Sequence, residues 1–307
     1  MDQTTPSEPE DAPSEATLAV VVPVYNDPDG ITRTLRSLDA AGRPMTVTVV
    51  DNASTDDTRR VVEAFEPTHV DVRLRSETAI QSSYAARNAG IRASDDADVL
   101  AFVDADVTVA EDYFDRALAR LDDCDYLGCH VDLSIEGDRT LTARYNAHTG
   151  FPIEQYVERH RYAPTCSLLV RREVFEDVGL FDPRLLSGGD MEFGNRVDAA
   201  GYELGYCADA VATHPVRDSF RSLYDKNVRV GRGHCQLQRY YPERYGEPPI
   251  PPRHEPLDTD APDLPLSDRL AFGALGTAMT AARASGYARE LLSPTETGAE
   301  MDGPPSL

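Results

Sequence analysis

Short apolar runs alternate with polar, turn-forming clusters along the first third of the chain. Leu18-Ala-Val-Val-Val-Pro-Val24 is β-branched and free of polar side chains, the pattern of a strand buried on both faces of a parallel sheet. Val47-Thr-Val-Val50 and Val99-Leu-Ala-Phe-Val103 read the same way, and Val70–Leu74 as a further strand. Between these runs, Ile31, Leu35 and Leu38 recur at helical spacing after the turn signal Asn26-Asp-Pro-Asp-Gly30. A second helix runs through Val61, Val62 and Phe65, with Asp56 or Asp57 placed to cap it, and Ser83–Ala93 makes a third. Strands alternating with helices predict an α/β layered domain built on a mainly parallel sheet.

The second half is more mixed. Thr165–Arg171 reads as a strand, Arg172–Val178 and Asp190–Ala200 as helices, and Val211–His214 as a brief extended segment. Ser219–Tyr241 suits a helix dense in arginine, in which Arg221, Arg229, Arg232 and Arg239 either line a site for phosphate groups or balance an acidic surface. Gly246–Pro265 holds seven prolines in twenty residues, a stiff linker. Leu266–Leu292 follows as a terminal helix that Gly273, Gly276 and Gly286 should weaken. This divides the chain into an acidic, disordered N-terminus (1–16), a main domain (17–215, in halves 17–107 and 108–215), an Arg-rich helical segment (216–245), the linker (246–265), a helix (266–293) and a tail (294–307).

Composition narrows the partners. The 307 residues carry 30 basic and 53 acidic side chains, a formal charge of −23 that argues against duplex nucleic acid and anionic lipid as electrostatic partners. A 41% hydrophobic fraction suffices for a sizeable core. Lys226 is the sole lysine and the other 29 basic residues are arginine. Acid excess with so little lysine reads as adaptation to high salt, where the Debye length shrinks to about 3 Å and self-repulsion fades. No stretch reaches 18 consecutive apolar residues and no secretory leader is visible, which makes the cytoplasm, at or away from its membrane face, the expected location. The five cysteines form no CxxC pair, as expected of reduced thiols and not of a zinc site.

Ligands of open α/β sheets bind at the carboxyl ends of the strands. Just past three predicted strand ends stand Tyr25-Asn26-Asp27, Asp51-Asn52 and Asp104-Ala-Asp106, which should converge on one edge. The paired Asp104 and Asp106 suit a hard cation such as Mg²⁺ or Mn²⁺, which is held through one or two carboxylates plus substrate phosphates. Asp51 can accept an N–H from a nucleobase, and Tyr25 offers a face for stacking on it, an interaction of about 1–3 kcal/mol. Arg87, on the helix before Asp104, can pair with Asp51 or reach a nucleotide. Asp190, delivered by the Gly188-Gly189 turn to a helix start, is either a cap or a general base. His214 is a candidate metal ligand or an ordinary satisfied histidine.

Taken in order, VVVPVYND (20–27), VVDNASTDDT (49–58), ARNAGI (86–91), LAFVDADV (100–107), the run from Leu168 to Val197 and GYELGY (201–206) resemble the inverting glycosyltransferases of family 2. The resemblance spans roughly residues 17–215. It implies a GT-A fold, a Rossmann-like mixed sheet, mainly parallel and flanked by helices, here with a helical C-terminal extension. Residues 17–107 would be the nucleotide-sugar half and 108–215 the acceptor half. It implies transfer of a sugar from a nucleoside diphosphate sugar of UDP or GDP type to a glycan or lipid-linked acceptor. Pro23, Tyr25, Asp27, Asp51, Arg87 and Asp104 would hold the donor nucleotide, Asp106 and His214 the metal, and Asp190 would be the catalytic base. This chain has Gly189 where the family carries a glutamate before the base, which changes any acceptor contact made there. With a lipid-linked acceptor, peripheral membrane contact is a further expectation; the terminal helix would otherwise pack on the catalytic domain or on a second subunit.

Two other enzymes fit less well. A nucleotide-sugar pyrophosphorylase calls for a Gly-rich basic loop after the first strand, where this chain reads PVYNDPDG, and no GxGxxG of a nicotinamide dehydrogenase follows any predicted strand. An inactive binding homologue is the remaining alternative, against which the retained Asp104, Asp106 and Asp190 argue.

Overall fold

A computed structural model of the protein describes residues 16–251, 264–295 and 303–307. Most of the acidic N-terminus and the middle of the Pro-rich segment lie outside them. The first half runs β1 (Leu18–Val24), α1 (Pro28–Ala40), β2 (Thr46–Asp51), α2 (Thr58–Glu63), β3 (Asp71–Ser76), α3 (Ser83–Arg92), β4 (Val99–Val103) and β5 (Thr108–Val109). The second runs α4 (Tyr113–Leu121), β6 (Tyr126–Ser134), α5 (Leu141–Thr149), α6 (Ile153–His160), β7 (Ser167–Arg171), α7 (Arg172–Val178), α8 (Gly189–Ala199) and β8 (Leu204–Pro215). Three helices close the described chain: α9 (Phe220–Tyr240), α10 (Pro242–Tyr245) and α11 (Leu266–Leu292).

The eight strands form one sheet in the order β3-β2-β1-β4-β7-β6-β8-β5. The first four are parallel, with Val22 beside Val49 and Val21 beside Phe102. The side chains of β1, β2 and β4 are almost wholly excluded from water on both faces, which is why they read as apolar runs, while the edge strand β3 alternates and stays partly exposed. β7 then runs antiparallel to both β4 and β6, while β8 is parallel to β6. The sheet is therefore more mixed than the apolar runs alone indicate.

The periodicity does not reveal β6, most of β8, or helices α4 to α6. In Tyr126–Ser134, Gly128 and His130 interrupt any apolar run, and Gly128 is needed because a Cβ there would lie 2.7 Å from Ala163. β8 hides behind an irregularity: Cys129 pairs with Cys207 but His130 with Val211, so three residues bulge out of the ladder. The final residues also return to the body of the protein, where Leu180 N–H donates to the Pro305 carbonyl at 2.8 Å.

The arginines of α9 divide by face. Arg232 and Arg239 turn to α11, where the fully buried Glu290 carboxylate lies 3.0 and 3.6 Å from them, while Arg221 only meets Asp225 on the surface. The two helices touch through their backbones. A Cβ on Gly231 would sit 1.9 Å from the Arg283 carbonyl oxygen, and one on Gly286 would sit 2.1 Å from that of Val228. Gly286 is thus a contact requirement and not a weak point of α11, whereas Gly273 faces open space. Gly286→Ala should lower stability, since the clash of about 1–3 kcal/mol outweighs the helix propensity gained, and Gly273→Ala should raise it by about 0.5–1 kcal/mol. Urea unfolding of both variants in high salt checks the opposite signs.

Candidate active site

The sheet brings together what lies far apart in sequence. β1, β2, β4, β6 and β8 all end at one edge, where the antiparallel β7 begins, with Val103 beside Ser167 and Ser134 beside Pro215. A cavity of about 600 Å³ opens there, within the usual size of a small-molecule site. Its wall takes Pro23 and Tyr25 from the end of β1, Asn52 after β2, Asp104 and Asp106 after β4, Thr165 and Cys166 before β7, and His214 at the end of β8. α3 contributes Tyr84 and Arg87, and α8 contributes Asp190.

Tyr25 is 51% exposed, so an aromatic face is free at the tip of β1. The loops after β1 and β2 lock each other: Asn26 N–H donates to Ser54 Oγ at 2.9 Å and Thr55 N–H to Asn26 Oδ1 at 2.8 Å. Asn26 and Ala53 take left-handed backbone conformations, with φ of 50° and 66°, to make these turns. Asp51 and Asp27 do not reach the cavity wall. Asp51 is buried behind Asn52, where Ser54 N–H at 3.3 Å and Arg59 at 3.4 Å engage its carboxylate. Asp27 caps α1 by accepting from Gly30 N–H at 2.8 Å. Arg59, which the sequence reading overlooks, is thus the partner of Asp51, and Asp56 rather than Asp57 accepts from Thr58 N–H at the start of α2.

Arg87 is 4% exposed and pairs with Asp104, its Nη2 lying 2.5 Å from Oδ1. Asp106 has no such countercharge. Burial pushes its carboxyl above the usual range and Asp104 and Asp27 add repulsion, while His214 and a backbone N–H pull the other way. His214 Nδ1 lies 2.7 Å from the Pro215 carbonyl, an acceptor, so the ring must donate there. A neutral ring then presents the bare lone pair of Nε2, which faces Asp106 Oδ1 at 3.8 Å. Two electron-pair donors facing across that gap fit a divalent cation. Among the described residues no three His, Cys, Asp or Glu side chains form a ready-made cluster. Mg²⁺ and Mn²⁺ commonly make up their shells with water and substrate phosphate.

Asp190 stands in the first turn of α8, where Met191 N–H donates to its Oδ1 at 3.0 Å. Desolvation raises its pKa, against the pull of Arg87. The preceding loop is fixed on several sides. Asn88 exchanges a pair of hydrogen bonds with the backbone of Phe181, and Leu186 N–H donates to Gln236 Oε1 at 2.9 Å. The buried Asp182 accepts from Arg184 and from the Tyr241 hydroxyl, both at 2.7 Å.

Comparison with known proteins decides what this edge belongs to. The sequence pattern of the family described as Glycosyl transferase family 2 matches residues 19–179, just over half of the chain. Glycosyltransferase AglE of Haloferax volcanii is 33% identical over 225 residues, which cover 72% of this chain and 73% of that protein. The chain belongs to glycosyl transferase family 2. The pre-mycofactocin glycosyltransferase of Mycobacterium tuberculosis is 28% identical over 247 residues, 77% of this chain but half of that longer protein. The S. aureus TarS 1-349 structure in complex with UDP-GlcNAc shares the fold, with a TM-score of 0.54 over 88% of this chain and 89% of that one, at 16% identity. This family 2 glycosyltransferase is therefore a transferase enzyme with a GT-A architecture.

The family match ends before α8, so Asp190 and His214 lie beyond it and rest on geometry alone. The geometry also accounts for the glycine at 189. A Cβ there would fall 2.7 Å from Cζ of Tyr84, so the tyrosine ring fills the space of the missing side chain. The Tyr84 hydroxyl accepts from Gly189 N–H at 2.9 Å and donates to Asp190 Oδ1 at 3.4 Å, while its ring stacks on Phe181. Tyr84 is the residue that sequence reasoning passes over. Its signal is the pairing of an absent side chain with an aromatic on a distant helix. Gly189→Ala should unfold at a lower temperature than the native chain, by overpacking of about 1–3 kcal/mol, and Tyr84→Leu should relieve much of that loss. A thermal-unfolding double-mutant cycle checks it; additive losses would separate the two residues.

Proposed function

We propose that this enzyme moves a sugar from a nucleoside diphosphate sugar, of UDP or GDP type, to an acceptor hydroxyl with inversion at the anomeric carbon. The observation that carries this reading is that Asp104, Asp106 and Asp190 line one cavity although they come from two halves of the chain. The TarS complex with UDP-GlcNAc supports a UDP-linked donor. Tyr25 and Asn52 receive the base at the tips of β1 and β2, with Asp51 holding the loop behind them. Arg87 and Asp104 meet the ribose end.

Asp106 and His214 would hold Mn²⁺ or Mg²⁺, which when bound supplies positive charge against the departing diphosphate. Asp190 takes the acceptor's proton on the opposite side of the anomeric carbon, as in single-step inverting chemistry. Burial raises the pKa of this base above the ordinary 3.8, which strengthens it as a proton acceptor; Tyr84 and Met191 N–H orient it. The acceptor is a glycan or a lipid-linked saccharide. The second is supported by exposed apolar side chains, Leu141, Phe220 and Leu270, at the starts of α5, α9 and α11. No described helix is long and apolar enough to cross a membrane, and contact with a membrane face would be peripheral. The acid-rich, lysine-poor composition supports work at high ionic strength.

Asp190→Asn is expected to keep its fold and its affinity for UDP or GDP with Mn²⁺ while losing at least a hundredfold in transfer, read by product formation and the anomeric NMR signal of the product. Native-like turnover by this variant would remove the base assignment. In the native enzyme the rate should fall as pH drops through the raised pKa of Asp190, because protonation removes the base, so the acid limb of the kcat profile lies above 3.8. Asp106→Ala should weaken nucleotide binding at least tenfold with Mn²⁺ present and leave metal-free binding unchanged, as calorimetry with and without a chelator would show.

A further inference from the structure

We propose that Lys226 and Arg229 on α9 form a phosphate-binding subsite for the acceptor inside the same cavity, with Arg217 beside them on the side of Asp106. The proposal rests on the donor reading above, in which the diphosphate lies toward Asp106. All three cations line the cavity, and among the described residues none of them makes a salt bridge. In a chain of formal charge −23, unpaired cations on an interior wall are not an accident of composition. The only lysine of the protein stands there, its ammonium over the Phe151 ring at 5.4 Å. Burial and the neighbouring charges of Arg217, Arg229 and Arg283 push that ammonium down to about 8, so the site is short of an anion.

A count of charges says which anion. A diphosphate esterified at both ends carries two negative charges, which a divalent cation cancels. Asp106 leaves one negative charge over, and Arg217, on which Asp106 and Asp104 both act, offsets it. Lys226 and Arg229 remain, and the charges that act most on Lys226 are other cations. Asp190, ionised as the base, offsets one of these two charges, and the positive charge left on the wall favours an acceptor bearing a phosphate group, which carries about −1.5 to −2 near neutral pH as a monoester. Lys226 and Arg229 are three residues apart and both reach the cavity from one face of α9. A prenyl-type lipid phosphate and a soluble sugar phosphate present the same group.

The test uses the full chain loaded with UDP and Mn²⁺ and titrates citronellyl phosphate, glucose 1-phosphate and the uncharged citronellol by calorimetry. At least one phosphate should bind the loaded enzyme, with citronellol at least tenfold weaker than citronellyl phosphate; which phosphate binds identifies the lipid or the soluble source. Lys226→Gln and Arg229→Gln should each weaken that phosphate at least tenfold and leave UDP affinity within twofold, and Lys226→Arg should restore binding. The proposal is overturned if UDP affinity falls in step with phosphate affinity, which would give the cations to the donor, or if neither phosphate binds, or if alcohol and phosphate bind alike. Should UDP and GDP both fail to bind with Mn²⁺, the donor reading falls, and titration of the unloaded chain still decides the subsite by the same Lys226→Gln comparison.

Discussion

Three carboxylates on the wall of one cavity are the electrostatic problem that the rest of the site is built around. Charges a few ångströms apart and partly stripped of water repel far more strongly than they would in solution. The countercharge is Arg87, a buried guanidinium on α3 that grips Asp104 and also acts on Asp190. Its placement depends on α3, which Ser82 caps by accepting from Tyr84 N–H and which Asn88 ties to the loop before α8. With Asp104 matched, Asp106 and Asp190 are left less compensated, and both are shifted toward holding a proton. A carboxylate in that state is poised for two uses: to take up a cation, or to take up a proton.

The positioning of Asp190 shows how little of this is done by free loops. The segment from Phe181 to Asp190 is irregular, yet Asn88 on α3, Gln236 on α9 and Tyr241 just after it hold it, Arg184 ties it internally to Asp182, and Tyr84 presses into the space above Gly189. Such support fixes a side chain by packing and second contacts, which is how a catalytic group keeps its geometry. Close backbone approach recurs at the next layer. Gly233 lies against the carbonyl of Ser187, and Gly231 and Gly286 seat α11 on α9. The terminal helix is thus part of the rear support of the cavity wall.

β1, β2 and β4 were legible because burial on both faces forces an apolar run, the edge strand β3 because its apolar and polar residues alternate, and their tips follow from strand direction alone. Val24, Asp51 and Val103 end on one edge because their strands are parallel. Where the sheet reverses at β7, that logic stops. β6 carries a glycine and a histidine for packing reasons, and the bulge opposite His130 breaks the period of β8, so neither strand announces itself. Site residues divide the same way. Asp104, Asp106, Tyr25 and Arg87 could be placed by position along the chain, whereas Tyr84, Arg217 and Lys226 enter the cavity only through contacts between distant elements. Asp51 and Asp27 stand at the strand tips, but local hydrogen bonds, which strand direction does not specify, turn both carboxylates into the loops.

The two faces of α9 show a division of labour between its cations. Arg232 donates to the buried Glu290 carboxylate at 3.0 Å and Arg239 lies 3.6 Å from it while donating to the Glu290 carbonyl, an arrangement that joins two helices. One turn earlier the same helix directs Lys226 and Arg229 at an open cavity, where neither forms an ion pair among the described residues. Composition makes the contrast sharper, because a chain that uses arginine 29 times uses lysine once, and does so where a compact, turnable ammonium beside an aromatic ring can follow a ligand that arrives and leaves. Keeping that ammonium charged beside three guanidinium groups costs folding free energy, in full below about pH 8 and progressively less as the pH rises above it. An anion bound there offsets that cost, so the mutual repulsion of the cations becomes affinity for whatever carries the opposite charge.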